Sequence, residues 1–207
     1  MRPLPRLHAV TDAGVVAAPD FGVRAAAIAA AGPAVALHAR DRAAGGAELA
    51  RVAARLLALA RPPEAAVFVS GRPDVAAALG AQGVQLAAGD LTPADARMVL
   101  GPGWVGRSVH AVAEAETAVA EGADFLLVGS VYETASHPGQ RAVGLGLVRA
   151  AVTLGRPVIA IGGIDAARAR EVRQAGAYGV AAIGALWRAA DPAAAALALL
   201  APWTEAT

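Results

Sequence analysis

Pro157-Val158-Ile159-Ala160-Ile161-Gly162-Gly163-Ile164-Asp165, echoed one short helix later by Gly179-Val180-Ala181-Ala182-Ile183-Gly184, is the stretch that decides the fold. Each half is a short apolar run that stops abruptly at glycine. A strand of a parallel sheet covered on both faces reads this way, because neither face needs polar residues. Glycine at the carboxyl end of such a strand leaves backbone N–H groups bare, so a phosphate can approach without meeting a Cβ. Two such endings on consecutive strands late in a chain fit the phosphate site built by the last two loops of a (β/α)8 barrel. Two tight turns that simply require glycine would leave the same trace, so the barrel must be argued from the rest of the chain.

Working outward, strand-like runs fall at 7–12, 34–38, 66–70, 83–87, 105–110, 125–129, 157–162 and 179–184. Between them lie alanine-rich segments such as 47–60, 111–121 and 165–175, with charges every three to four positions, as the outer face of an amphipathic helix requires. Asp90 or Thr92 stands before Pro93-Ala94-Asp95, and Asp165 before Ala166-Ala167-Arg168, as helix N-caps do. Gly122 and Gly176 stand where helix C-terminal caps belong. Eight strands, each followed by a helix, predict one (β/α)8 TIM barrel, a single domain over residues 1–207, with 191–200 as its closing helix. An open, doubly wound sheet shares the alternation and is the other architecture compatible with it.

Composition removes several kinds of chemistry. The chain has 207 residues, 57% hydrophobic, enough for a full core. A formal net charge of +1 argues for neither nucleic acid nor an anionic membrane as partner. All 18 basic residues are arginine, so Schiff-base lysine chemistry and a Walker lysine are excluded. No cysteine means no disulfide, thiolate nucleophile or thiolate-bound metal. The start, Met1-Arg2-Pro3-Leu4-Pro5-Arg6, leads into a run broken by Asp12 and not into a signal-peptide core. Mean hydropathy is +0.50, yet the uncharged runs are too short and too glycine-broken to span a bilayer, so a cytoplasmic location is expected.

In a barrel the functional groups sit where strands end. Those positions hold Thr11 and Asp12, His38, Arg40 and Asp41, Ser70 and Arg72, Gln85 and Asp90, Ser108 and His110, then the loop from Ser130 to Gly139, and finally Gly162, Gly163, Ile183 and Gly184. Arg40 and Arg72 in one mouth suit a carboxylate or phosphate, which guanidinium matches bidentately. His110 is the general acid–base candidate, since an imidazole titrates near neutrality. His8 reads as a core residue, His38 as a residue lining the site, and His137 as a residue of the glycine–proline loop. The four histidines lack metal-ligand spacing, and no two carboxylates visibly converge, so no metal is expected.

At this point the chain resembles the thiamine phosphate synthase/thiazole tautomerase (TenI) family over nearly its whole length. The resemblance rests on Val10-Thr11-Asp12, Gly83-Val84-Gln85-Leu86, Ser108-Val109-His110, the block from Ala123 to Thr134, and Ile159-Ala160-Ile161-Gly162-Gly163-Ile164. It implies a (β/α)8 barrel and one of two reactions. The synthase couples a pyrimidine pyrophosphate to a thiazole phosphate and uses Mg²⁺ against the charge of the departing pyrophosphate. Its strand-two pattern Gln-Leu-Arg-x-Lys appears here as Ala36, Leu37, His38, Ala39 and Arg40, and its Asn-Asp-Arg as Ser70, Gly71 and Arg72. A metal-ligand aspartate survives as Asp90, and the lysine of a Thr-Lys loop corresponds to His137.

These departures favour the tautomerase branch, an isomerase that aromatises a carboxythiazole phosphate by proton transfer. The resemblance then implies His110 as the acid–base residue, with neither metal nor organic cofactor. Gly162, Gly163, Ile183 and Gly184 would hold the phosphate, and Arg40 or Arg72 the carboxylate. Gln85, Ser108, Ser130, His38 and His137 would line the ligand. The expected partner is a phosphorylated thiazole, with a homodimer or higher homo-oligomer compatible with the alanine-rich outer helices. Mg²⁺-dependent synthase and a non-catalytic thiazole-phosphate binder are the alternatives.

Overall fold

The structure, a computed structural model, describes residues 3–62, 64–134, 139 and 141–204. Eight parallel strands close into a barrel in chain order: β1 (Leu7–Val10), β2 (Val35–Ala39), β3 (Ala66–Ser70), β4 (Gly83–Leu86), β5 (Trp104–Val109), β6 (Phe125–Val128), β7 (Val158–Ile161) and β8 (Gly179–Ala182). Closure is made by β1 against β8, with Leu7 opposite Val180 and His8 opposite Ala181. The helices are α1 (Ala13–Ala17), α2 (Phe21–Ala29), α3 (Gly46–Ala60), α4 (Pro73–Leu79), α5 (Pro93–Leu100), α6 (Val112–Ala120), α7 (Gly144–Val152), α8 (Ala166–Gln174), α9 (Gly184–Trp187) and α10 (Pro192–Thr204). The closed topology settles the architecture as a (β/α)8 barrel and excludes the open sheet.

The period of two along each strand divides the core into two shells. Leu7 and Ala9, Val35 and Leu37, Val67 and Val69, and Leu126 and Val128 turn outward into the large cluster under the helices. Their alternates Val10, Ala36, Phe68, Phe125, Leu127, Ile159 and Ala181 fill the inside of the barrel. Strands buried on both sides carry no polar alternation, as their sequences anticipate. The inner shell packs large against small. A Cβ on Gly83 would stand 2.4 Å from the Phe68 ring, and one on Gly106 would stand 2.1 Å from Phe125. Each phenylalanine thus lies over a glycine of a neighbouring strand, and alanine at either glycine would force the ring out.

Strand ends differ from the sequence reading by at most two residues, and the closing helix runs four residues further, to Thr204. The ladder of β1 stops at Val10, and Thr11 and Asp12 already belong to the mouth. Of the two cap candidates before α5, Thr92 is the cap, accepting the Asp95 N–H at 3.1 Å. Asp90 folds back and accepts the Ala87 N–H at 2.7 Å. Asp12 and Asp165 cap α1 and α8. No helix among the described residues is long and apolar enough to cross a membrane.

Candidate active site

The carboxyl ends of the strands open onto a cavity of about 570 Å³. His38, Arg40, Arg72, Gln85, Ser108, His110, Ser130 and the four β7–β8 residues read from the sequence line it; Thr11 and Asp12 do not, and His137 lies outside the described residues. His38, Arg40, Arg72 and Gln85 contribute from β2 to β4, Ser108 and His110 from β5, Ser130 from the end of β6, and Gly162, Gly163, Ile183 and Gly184 from β7 and β8.

The β7–β8 rim is made of main chain. Gly162 and Gly163 have φ of +102° and +64°, a region that strongly favours glycine. Space also demands glycine, since a Cβ would stand 2.6 Å from Ser130 Cα at Gly162 and 2.6 Å from the Glu133 carbonyl oxygen at Gly163. Both carbonyls are engaged: that of Gly162 accepts the Tyr132 N–H at 3.1 Å, and that of Gly163 accepts Arg168 Nη1 at 2.7 Å. Arg168 is itself steadied over the Tyr132 ring, 4.6 Å from its centroid, and the Tyr132 hydroxyl donates to Glu171 at 2.7 Å. Gly184 differs. A Cβ there would meet nothing within 4 Å.

The β2–β4 wall is made of side chains. Thr11 ties β1 to β2, donating through Oγ1 to the Arg40 carbonyl at 2.8 Å and accepting the Arg40 N–H at 2.9 Å. That lock fixes where the Arg40 side chain leaves the strand. The Arg40 guanidinium is half-buried, with one long bond to the Thr11 carbonyl at 3.5 Å. Burial lowers its pKa, as does the Arg42 charge, while Asp12 and Asp41 oppose the shift. It stays protonated, as arginine always does in proteins, and gains most from an anionic partner. Arg72 is exposed, and its pKa is raised by the hydrogen bond to Asp74. Arg42 and Arg188 also line the cavity, and Arg188 stands 3.8 Å from Asp12.

His110 stands directly after β5, and its backbone N–H donates to Glu114 at 2.7 Å. Its Nδ1 bonds the Gly129 carbonyl, an acceptor only, so Nδ1 carries a hydrogen. Deeper in, His38 is fully buried, and burial holds its pKa well below the ordinary histidine value, with the charges of His8 and Arg40 adding to the effect. His8, also buried, is lowered to about 4.

The model of the family described as thiamine monophosphate synthase matches residues 7–186. The chain belongs to that family. A thiamine-phosphate synthase of Salinispora tropica is 44% identical over 97% of this chain and 98% of its own length. One from Thermus thermophilus is 49% identical over 70% of this chain and 71% of its own length. The solved thiamine phosphate pyrophosphorylase of Pyrococcus furiosus superposes with a TM-score of 0.80 at 33% identity, covering 95% of this chain and 94% of that one.

These relatives overturn the expectation of a thiazole tautomerase and of an isomerase, since they are named as synthases, which are transferases. The side-chain losses that favoured the tautomerase are real, but a chain can change residues within one wall of its site while remaining in a synthase lineage. One loss bears on the Mg²⁺ that the family implies. Gly71 faces Asp90, and a Cβ on it would stand 3.1 Å from both carboxylate oxygens, so a second carboxylate is missing where it would pair with Asp90. Asp90 already accepts the Ala87 N–H, Asp41 accepts the Ala43 N–H, and no three metal-ligating side chains converge among the described residues. The residues present do not build a divalent-cation site. Arg42 and Arg188 escaped the sequence reading because they stand two residues past the Arg40 and four past the Gly184 that motif spacing picks out.

Proposed function

We propose that this protein is a thiamine-phosphate synthase: it joins a pyrimidinylmethyl pyrophosphate to the ring nitrogen of a thiazole phosphate. The observation that carries this reading is a cavity with two different anion-compatible rims. Arg40, Arg42 and Arg72 stand on one, after β2 and β3, and the glycine turns of β7 and β8 on the other, with Arg188 just beyond them. In the closed ring β3 lies four strands from β7, so the rims face each other across the mouth. The coupling asks for two such surfaces, one for a pyrophosphate that departs and one for a phosphate that stays.

In the reaction the C–O bond between the methylene and the pyrophosphate breaks, and the thiazole nitrogen lone pair forms the new C–N bond. No proton is removed from the attacking nitrogen, so no general base is required at that step. Charge on the leaving group is met by Arg40 and its neighbouring arginines, positioned before the bond breaks. The phosphate of the second substrate lies on the main-chain amides of Gly162, Gly163, Ile183 and Gly184. His38, Gln85, Ser108, Ser130 and His110 border the heterocycles, with His110 as a polar lining residue and not an acid–base catalyst. This reading takes residues 1–207 as one barrel domain acting on small phosphorylated substrates in the cytoplasm.

The test is direct. Purified protein given both substrates should release thiamine phosphate and pyrophosphate, measured by chromatography of the oxidised fluorescent product. Absence of product under conditions where the Thermus thermophilus relative turns over would reject the assignment.

A further inference from the structure

A Mg²⁺ ion that accompanies a pyrophosphate is held by carboxylates together with the phosphate oxygens. The turns after β3 and β4 offer such an ion little. Gly71 follows the end of β3, and its N–H donates to the Gln85 carbonyl at 2.9 Å, which pins the turn beside the end of β4. Its φ is +70°, and a side chain there would point at Asp90. Asp90 thus stands without a second carboxylate, and its own Oδ2 is spent on the Ala87 N–H at 2.7 Å. Asp41, the other aspartate lining the cavity, accepts the Ala43 N–H at 2.9 Å.

What surrounds Asp90 is cationic. Among the described residues four arginines and two aspartates line the cavity, so its walls carry two net positive charges, histidines aside. Arg40 is half-buried, with one long bond to the Thr11 carbonyl at 3.5 Å, and it feels the charge of Arg42. Arg72 leans over the start of α3. A Cβ on Gly46 would run into its guanidinium, and α3 begins without a side-chain cap. Like charges at Arg40 and Arg42, and a cation against the positive end of a helix, are unfavourable until an anion joins them. A free pyrophosphate relieves this repulsion. One already carrying Mg²⁺ brings less negative charge and fewer open oxygens to the same groups.

We infer that this mouth takes pyrophosphate as the metal-free anion, with Arg40, Arg42 and Arg72 in the place of the divalent cation, so that Mg²⁺ opposes binding instead of enabling it. The inference rests on the synthase reading and departs from the metal use that the family implies. In the coupling the thiazole nitrogen forms the C–N bond, and the electron pair of the broken C–O bond leaves on the pyrophosphate oxygen. No proton moves. The guanidinium groups meet the departing charge, each able to present two N–H groups to one phosphate.

Calorimetry with inorganic pyrophosphate on the intact protein, first in chelator and then in excess Mg²⁺, tests this. Binding should appear in chelator and weaken about 10- to 100-fold with Mg²⁺, the worth of one charge-assisted hydrogen bond. Asp90→Asn keeps an acceptor for the Ala87 N–H and removes a negative charge, so it should leave metal-free binding within about threefold or tighten it. Gly71→Asp sets a second carboxylate beside Asp90, and aspartate is among the residues that tolerate positive φ. It should weaken metal-free binding about tenfold and make Mg²⁺ a requirement. Mn²⁺ titration followed by electron paramagnetic resonance should find the ion free beside the wild-type protein and bound by Gly71→Asp.

Absence of binding in chelator, tighter binding with Mg²⁺, Mn²⁺ held by the wild-type protein, or a larger loss in Asp90→Asn would overturn the inference. So would a folded Gly71→Asp that keeps the wild-type preference; if that variant does not fold, the other measurements decide. Coupling that occurs only with Mg²⁺ would overturn the inference and leave the synthase reading standing. Metal-free pyrophosphate binding without coupling would reject the synthase reading alone.

Discussion

The two sides of the cavity are built by different means. The β7–β8 rim uses main chain, shaped at Gly162 and Gly163 by glycines that neither space nor φ allows to change. The β2–β4 wall uses side chains, with Arg40 locked by Thr11 and His38 locked by His8. The first is rigid and chemically generic. The second depends on which side chains stand there, several of them tied to a partner on a neighbouring strand.

The largest effect expected from breaking this contrast is at Arg40. Its half-buried guanidinium has one long internal bond, so Arg40→Ala should cost little stability. The same change should lower kcat/KM by about 10²- to 10³-fold, as loss of a preorganised charge partner does. Steady-state kinetics with pyrophosphate release as readout checks it, and a loss below about threefold would place the leaving group elsewhere.

On the opposite rim the expected damage is structural. Gly163→Ala puts a Cβ 2.6 Å from the Glu133 carbonyl oxygen at a φ of +64°. It should destabilise the fold by about 2–3 kcal/mol, read as a lower denaturant midpoint at unchanged slope.

Next comes the response to acid. A histidine whose folded pKa lies below its unfolded value of 6.5 contributes stability that is intact at neutral pH and is lost as the unfolded chain takes up protons. For His8, lowered to about 4, the loss falls between pH 6.5 and about 4. It amounts to about 2 kcal/mol between pH 7 and pH 5, with His38 adding in the same direction. Denaturation at the two pH values should show it, and His8→Phe/His38→Phe should flatten the acid limb.

The smallest effect belongs to Gly184→Ser. With open space around the new Cβ, stability should move by less than about 0.5 kcal/mol. The added hydroxyl should lower the KM for the thiazole phosphate by about 3- to 10-fold, the worth of one further hydrogen bond to a charged group. A raised KM would mean the phosphate does not lie on this rim.

The same contrast explains what was legible in the sequence. Apolar runs ending in glycine reveal the barrel because strands covered on both faces need no polar residues, and the mouth residues stand out as the first polar groups after them. His110 and Arg40 were found in this way. The His8–His38 bond was not, because its partners lie 30 residues apart on different strands and only closure of the barrel brings them within 2.7 Å. The choice of reaction was misread for a related reason. Ala36, His38 and Gly71 look like lost chemistry when each is compared with a motif, whereas a relative matching along 97% of the chain is named a thiamine-phosphate synthase. Arginines outside the motif, Arg42 and Arg188, supply positive charge at that mouth and carry no motif signature.

Every residue except proline owns an amide N–H, so the grip of the β7–β8 rim is inherited with the path of the chain and not with any particular side chain. A point substitution other than to proline leaves these amides in place unless it bends the backbone. On the synthase reading, side chains of the facing wall can change while the main-chain amides offered to the phosphorylated end of a ligand stay in place.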